Sequence, residues 1–202
     1  MYKEAERDRI FYQGERQMNR GERFPHLQVD DGIYFATFQL ADAIPKEVAT
    51  RLARRYESLI NAIRDEGDVD QADIDRAGFE FHLDHVDPHL DDGAGACWLE
   101  DDRIAQLVYD ALHFFEKERY HLIAWCIMGN HVHVDFRKEE GWELGEIYHS
   151  WKSFTGTKAN EILGRTGPFW KPDTFDHLIR TESELVRTGQ YILKNPPAAG
   201  LE

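Results

Sequence analysis

YHLIAWCIMGNHVHVDF, residues 120–136, reads as two strands and the turn between them. Residues 122–128 are apolar without alternation, the pattern of a strand covered on both faces. Gly129 and Asn130 make a tight turn. Residues 131–136 then alternate. Val132, Val134 and Phe136 take a core face, and His131, His133 and Asp135 take the other. Imidazoles two residues apart lie about 6.6 Å apart along a strand, close enough to reach one divalent ion. Spacing alone leaves a pair of surface histidines as an equal reading.

Residues 33–40 (IYFATFQL), preceded by Asp30, Asp31 and Gly32, read as a further strand. Pro45 opens a helix to about residue 64, with Val48, Leu52, Tyr56, Leu59 and Ile63 on its apolar stripe. Residues 101–118 form a second helix through Ile104, Val108, Leu112 and Phe115. A third covers 144–163 and is ended by Gly164, Gly167 and Pro168. Thr181 caps a last helix over 182–194, which Pro196 and Pro197 stop. Strands with helices on one side predict an α+β sheet layer. Residues 1–24 mix charges without periodicity and read as an N-terminal arm, whose Arg7, Arg9, Arg16, Arg20 and Arg23 could touch phosphate. Residues 25–201 are left as one domain.

The chain has 202 residues, of which 42% are hydrophobic, so a full core is available. It has 38 acids against 24 bases, a net charge of −14. The imbalance is local: residues 63–102 hold 14 acids and two bases, whereas 147–194 hold seven bases and five acids. A basic surface for phosphate therefore survives the overall acidity. Apolar runs stay short of the roughly 18 residues of a membrane span. Two cysteines are no disulfide framework, and a cytoplasmic protein is expected.

The low-hydrophobicity stretch 65–95 reads as an acidic insertion. Inside it His82, His85 and His89 lie among aspartates. A solvated loop is the simpler reading, because Pro88 breaks a helix that would align the imidazoles. A metal-storage or metal-sensing protein built on these three residues is the rival. On a helical wheel of the last helix, Leu185, Val186, Ile192 and Leu193 form the apolar stripe. Tyr191 lies nearly opposite, with Asn195 one turn on. That offers Tyr191 to something outside its own helix, although an ordinary surface tyrosine has the same spacing.

Four blocks in order, IMGNHVHVDF (127–136), YHSWKSFTGTKAN (148–160), GPFWKPDTFDHLIR (167–180) and YILKNPPAAGL (191–201), resemble the REP-associated tyrosine transposases. These are relatives of the single-tyrosine HUH transposases. The resemblance covers about residues 23–201 apart from the insertion. It implies a ferredoxin-like antiparallel sheet with helices packed on it and the histidine pair on its central strand. His131 and His133 match the metal ligands, Tyr191 the nucleophile, and Asn195 the polar residue that completes or adjusts the metal shell. His177 matches a recurrent histidine that supports the site. Gly129 stands where the family commonly has proline. Asp135 replaces a more usual apolar residue and by alternation shares the histidine face.

The implied activity is a metal-dependent single-stranded DNA endonuclease and strand transferase acting at hairpin-type sites. Mg²⁺ or Mn²⁺ would polarise the scissile phosphate while Tyr191 forms a 5′-phosphotyrosine. The phenol needs help losing its proton, and the sequence names no convincing base. Lys152, Lys158, Arg165, Lys171 and Arg180 are the candidate phosphate contacts. The interleaved Trp151, Phe154, Phe169 and Trp170 belong either to base stacking or to the core. The expected partner is single-stranded or hairpin DNA, bound by a monomer or homodimer near the nucleoid. The alternative is a domesticated relative that grips such DNA without cutting it. Since its acids repel phosphate, the insertion is expected on an edge remote from the DNA.

Overall fold

The computed structural model describes residues 17–20, 25–65, 67 and 69–198. Arg7, Arg9, Arg16 and Arg23 of the arm lie outside the described residues. The arm is not wholly irregular: β1 (Gln17–Arg20) pairs antiparallel with β2 (Pro25–Gln28).

The main sheet is built from β3 (Ile33–Gln39), β4 (Tyr120–Ile127), β5 (His131–Lys138) and β6 (Phe175–Ile179). Their order is β4-β5-β3-β6, and each neighbouring pair is antiparallel. β3 and β4 both oppose β5, so they run parallel to each other and require a crossover. That is the ferredoxin-like arrangement. The helices are α1 (Lys46–Asp65), α2 (Gln71–Phe81), α3 (Asp87–Asp91), α4 (Asp102–Phe114), α5 (Leu144–Leu163) and α6 (Glu182–Ala198). Among the described residues no helix is long and apolar enough to cross a membrane.

The register fixes two unlike faces. Tyr34, Ala36 and Phe38 of β3 stand opposite Phe136, Val134 and Val132 of β5 and form the first face. All six are buried there against Ile104, Val108 and Leu112 of α4 and Ile147 and Trp151 of α5. Trp151 stacks on Phe38 and meets Tyr120, Phe136 and Tyr148, and its Nε1 donates to the Tyr120 hydroxyl at 2.8 Å. Trp151→Ala is expected to lower unfolding free energy by about 3–5 kcal/mol, measured by denaturant titration. A paired Glu143–Glu146 capping box starts α5, and Gly164, at φ 61°, ends it in the left-handed conformation that glycine adopts freely.

β4 is one of the two edge strands, with α4 on one face and α6 on the other. A bulge between Leu122 and Ala124 turns Ile123 out, leaving it 45% exposed. The second face carries a smaller apolar cluster of Phe35, Phe79, Cys126, Met128, Ile179 and Ile192, under α6 and α2.

The insertion is helical, not a loop. The Asp70 carboxylate caps α2 by accepting from the Asp73 N–H at 2.9 Å. A π turn, His82–Val86, joins α2 to α3. Pro88 falls in the first turn of α3, where a missing N–H costs little, so it starts a helix where a break was expected. The last helix also runs past Pro196 and Pro197 to Ala198.

Candidate nucleophile and metal site

Strand alternation puts His131, His133 and Asp135 on the second face. There they are 1%, 0% and 0% exposed, so the pair is not on open surface. The turn before them sets the proton positions. Asn130 Nδ2 donates to the Ala94 carbonyl at 2.9 Å, which leaves Asn130 Oδ1 to accept from His131 Nδ1 at 2.7 Å. His131 Nδ1 therefore carries the proton and its Nε2 is bare. Across the sheet, Thr37 Oγ1 lies 2.8 Å from His133 Nδ1. The two Nε2 atoms converge to 3.0 Å.

Burial lowers both imidazole pKa values, that of His133 to about 4, so both rings are neutral near pH 7. His133 can hold its proton on Nε2, shared with His131. It can instead hold it on Nδ1, donated to Thr37, which sets two bare lone pairs face to face. That second arrangement is repulsive unless a cation lies between them. Ligands about 2.1 Å from an ion and at right angles to each other are about 3.0 Å apart, the spacing seen here. Among the described residues no group of three His, Cys, Asp or Glu side chains is disposed to hold a metal, so a third donor must be of another type. Asn195 fits. It is 7% exposed, one helical turn on from Tyr191, and its amide oxygen is a ligand type that a hard divalent ion takes. Two imidazoles and an amide therefore suit a divalent ion.

Tyr191 stands beside this pair, its ring centroid 5.4 Å from that of His133 and 6.2 Å from that of Phe35. Burial and then the charge of Asp87 push its phenol pKa well up, while the Asn195 amide alongside eases it slightly. The helical wheel misplaced the inner side of α6. Val186 and Leu193 are 51% and 70% exposed, whereas Thr188, Ile192 and Asn195 are buried. The inner side meets a face where the apolar cluster borders the polar row His131, His133 and Asp135, so it carries Ile192 together with polar groups. Tyr120 and Tyr148, the other candidate nucleophiles, are buried in the core on the opposite face.

The insertion supplies what the sequence did not show. It lies over the site, not on a remote edge. The Tyr191 hydroxyl donates to Asp87 Oδ2 at 2.8 Å. Asp87 Oδ1 is 2.9 Å from His82 Nε2, and the His82 ring stacks on Phe175 at 3.7 Å. Asp91 Oδ1 lies 3.7 Å from His131 Nε2. Burial, then the charges of Asp87 and Asp92, raise the Asp91 carboxyl pKa to about 6. The i, i+4 spacing of Asp87 and Asp91 was the available signal, hidden once Pro88 was read as a helix break. The three insertion histidines do not converge. His85 is 3.3 Å from Arg55 Nη2 and His89 is 3.6 Å from Asp92, which removes the basis for a metal-storage site.

Asp135 and His177 share the face but stand apart from the pair. Asp135 accepts from Thr188 Oγ1 at 2.7 Å beneath α6, and burial raises its carboxyl pKa to about 7. His177 stacks on Phe79 at 4.1 Å, two strands from β5. Its Nε2 is 3.8 Å from Glu184 Oε1, an ion pair too long for a hydrogen bond. Burial raises the Glu184 pKa. The His177 charge and the Arg180 N–H, which donates to Oε2 at 2.7 Å, outweigh burial and bring it to about 2. A depressed carboxyl contributes stability above its ordinary pKa of about 4.5 and loses it as the pH falls toward 2. Glu184→Gln is expected to remove about 1–2 kcal/mol at pH 7 and much less at pH 2.5, checked by urea titration at both pH values.

The candidate DNA cations divide. Lys152 Nζ is spent on the Pro172 and Asp173 carbonyls and Thr174 Oγ1 at 2.6, 3.2 and 3.1 Å. Arg180 is nearly buried and bonded to Asp75 Oδ2 at 2.7 Å and the Leu178 carbonyl at 3.1 Å. Both are structural straps in this state. Lys158 pairs with Glu161 at 2.7 Å on an exposed part of α5, behind the sheet from Tyr191. Arg165 bonds Asn160 and the Pro168 carbonyl at 3.1 and 3.3 Å. The Lys171 N–H donates to the Gln39 carbonyl at 2.9 Å, which places Lys171 at the sheet end where Gln39 faces His131. Of the four interleaved rings, Trp151, Phe169 and Trp170 are core and Phe154 is 52% exposed.

Fold and site together define an α+β protein whose central strand presents two converging imidazoles to a helix-borne tyrosine. No family model matches the chain, and no curated protein matches it. Solved structures similar to it include the following two. One is a REP-associated tyrosine transposase bound to a REP hairpin. It is 14% identical, covers 86% of this chain and 72% of its own, and gives a TM-score of 0.47. The other, a Deinococcus radiodurans protein assigned as a transposase, is 13% identical, covers 88% and 98%, and gives 0.32. These likenesses transfer no residue role to this chain.

Proposed function

We propose that the chain is a metal-dependent single-stranded DNA endonuclease and strand transferase with Tyr191 as nucleophile. The observation that carries this reading is the convergence of His131 and His133 Nε2 to 3.0 Å directly beside the Tyr191 ring. Neither DNA binding nor stability requires that combination. A divalent ion, Mg²⁺ or Mn²⁺, would be held by His131, His133 and Asn195 and would supply charge stabilisation at a non-bridging phosphate oxygen. Asn130 and Thr37 fix the ring planes of the two histidines, so donor geometry is set before substrate arrives. Phe35 and His133 hold the Tyr191 ring edge-on. The Tyr191 oxygen attacks phosphorus, the P–O3′ bond breaks, and the products are a 5′-phosphotyrosine and a free 3′-hydroxyl. Bond energy is retained, so another 3′-hydroxyl can rejoin the strand. Lys171, Lys158 and Arg165 are the cations left to follow phosphates.

The test is incubation with a pool of labelled hairpin-forming single strands and Mn²⁺, followed by denaturing electrophoresis. A covalent protein–DNA species is expected. Tight hairpin binding with no adduct at any sequence in the pool would favour a non-cleaving binding protein instead.

A further inference from the structure

We infer that Asp87, delivered by the helical insertion and backed by His82, is the catalytic proton acceptor for the Tyr191 hydroxyl. This rests on the reading of Tyr191 as nucleophile and supplies the base which that reading lacks. Asp87 is 1% exposed, and its Oδ2 accepts directly from the reacting oxygen at 2.8 Å. Its other oxygen lies 2.9 Å from His82 Nε2, on a ring stacked against Phe175, so an imidazole flanks the carboxylate on the side away from Tyr191. Nucleophile, acceptor and flanking imidazole come from α6, α3 and the π turn, three elements that meet only here. Burial opposes the charge on Asp87, but the neighbouring His82 and the Tyr191 hydrogen bond help keep the carboxyl below the usual range. The acceptor is therefore a carboxylate near neutral pH. Because it is a weak base, the proton moves only as the bond to phosphorus forms and the phenol becomes acidic.

The step balances. The Tyr191 O–H bond breaks and its proton goes to Asp87 Oδ2. The Oη–P bond forms, the P–O3′ bond breaks, and the leaving O3′ takes a proton from water. Asp87 then returns its proton to solvent past the half-exposed Asp91. The charged and titratable groups facing Asp87 are His82 on its own helical run, His131 and His133 on β5, Cys126 on β4 and Tyr191 on α6, with Asp91 one turn along.

Single-turnover adduct formation by Asp87→Asn, on a hairpin that the wild type cleaves, tests this. Hairpin affinity is expected within about twofold of wild type, while the adduct rate at pH 7 falls about a hundredfold or more. The wild-type rate should be nearly flat from pH 7 to 9. The variant, relying on hydroxide, should gain about tenfold per pH unit. Since Asp87→Asn changes the group that His82 faces, the double variant His82→Gln, Asp87→Asn is measured alongside; it leaves two neutral amides at the site and should show the same rate loss. A folded variant as fast as wild type, or one with an unchanged pH slope, overturns the assignment. A faster variant does so too, making the contact a restraint on Tyr191. A wild type that binds hairpins but forms no adduct sinks the nucleophile reading itself, and this inference with it.

Discussion

Tyr191→Phe is expected to abolish the covalent adduct, a loss of more than a thousandfold, while hairpin binding stays near wild type. The substitution removes one oxygen from a ring that keeps its contacts with Phe35 and His133. What changes locally is Asp87, whose Oδ2 loses its donor in a site that is 1% exposed. Leaving a buried acceptor unmet costs about 1–3 kcal/mol, so the variant should fold with a lowered midpoint. Peptide mapping of the wild-type adduct gives the direct check. A nucleotide found on Tyr120 or Tyr148 would demand that a core tyrosine from the opposite face reach solvent, and would end the assignment.

His131→Ala and His133→Ala should each reduce Mn²⁺ affinity by more than a hundredfold and remove adduct formation, read by calorimetry and the adduct assay in the same buffer. Each deletes one of two nitrogens that set the ligand spacing, and among the described residues no group of three metal-binding side chains is present to replace it. Asn130→Ala is the graded case. It leaves both ligands but frees the His131 tautomer, for which about a 10–100-fold loss of affinity is expected. The strand pattern suggested that the alanine variants would be nearly neutral for stability. Burial at 1% and 0% changes that: His133→Ala opens a cavity beside Phe35 and strands the Thr37 hydroxyl. A cost of about 1–3 kcal/mol follows. Full metal binding by the double alanine variant would overturn the site.

The insertion shows most clearly where sequence reasoning stopped. Its acidity placed it far from phosphate, on the assumption that acids only repel. The fold uses Asp87 and Asp91 as short-range groups beside a tyrosine and a histidine, where hydrogen bonding and orientation outweigh net charge. Glycine at 129 belongs to the same junction. A Cβ there would lie 2.9 Å from Glu100 Oε1, and the Gly129 carbonyl accepts from the Leu99 N–H at 3.1 Å, so the turn and the end of the insertion are packed together.

By itself the sequence determined three of the sheet's four strands and the two faces of the central one. Two-residue alternation in 131–136 put the valines on one side and the histidines on the other, because a strand has no other way to place neighbouring side chains. Helices at 46–65 and 144–163 followed from apolar spacing, Pro45 and Gly164, which act within one turn. Only the tertiary structure decided which side of α6 faces inward, since an apolar stripe marks the buried side of a helix only when the surface it meets is apolar. Here that surface is part apolar cluster and part polar site, so Thr188, Tyr191 and Asn195 turn in with Ile192 and Leu193 turns out. The Asp87–Tyr191 bond joins residues 104 apart in the chain. Such a contact leaves no periodic trace in either segment, because it exists only where α3 and α6 meet over the same sheet.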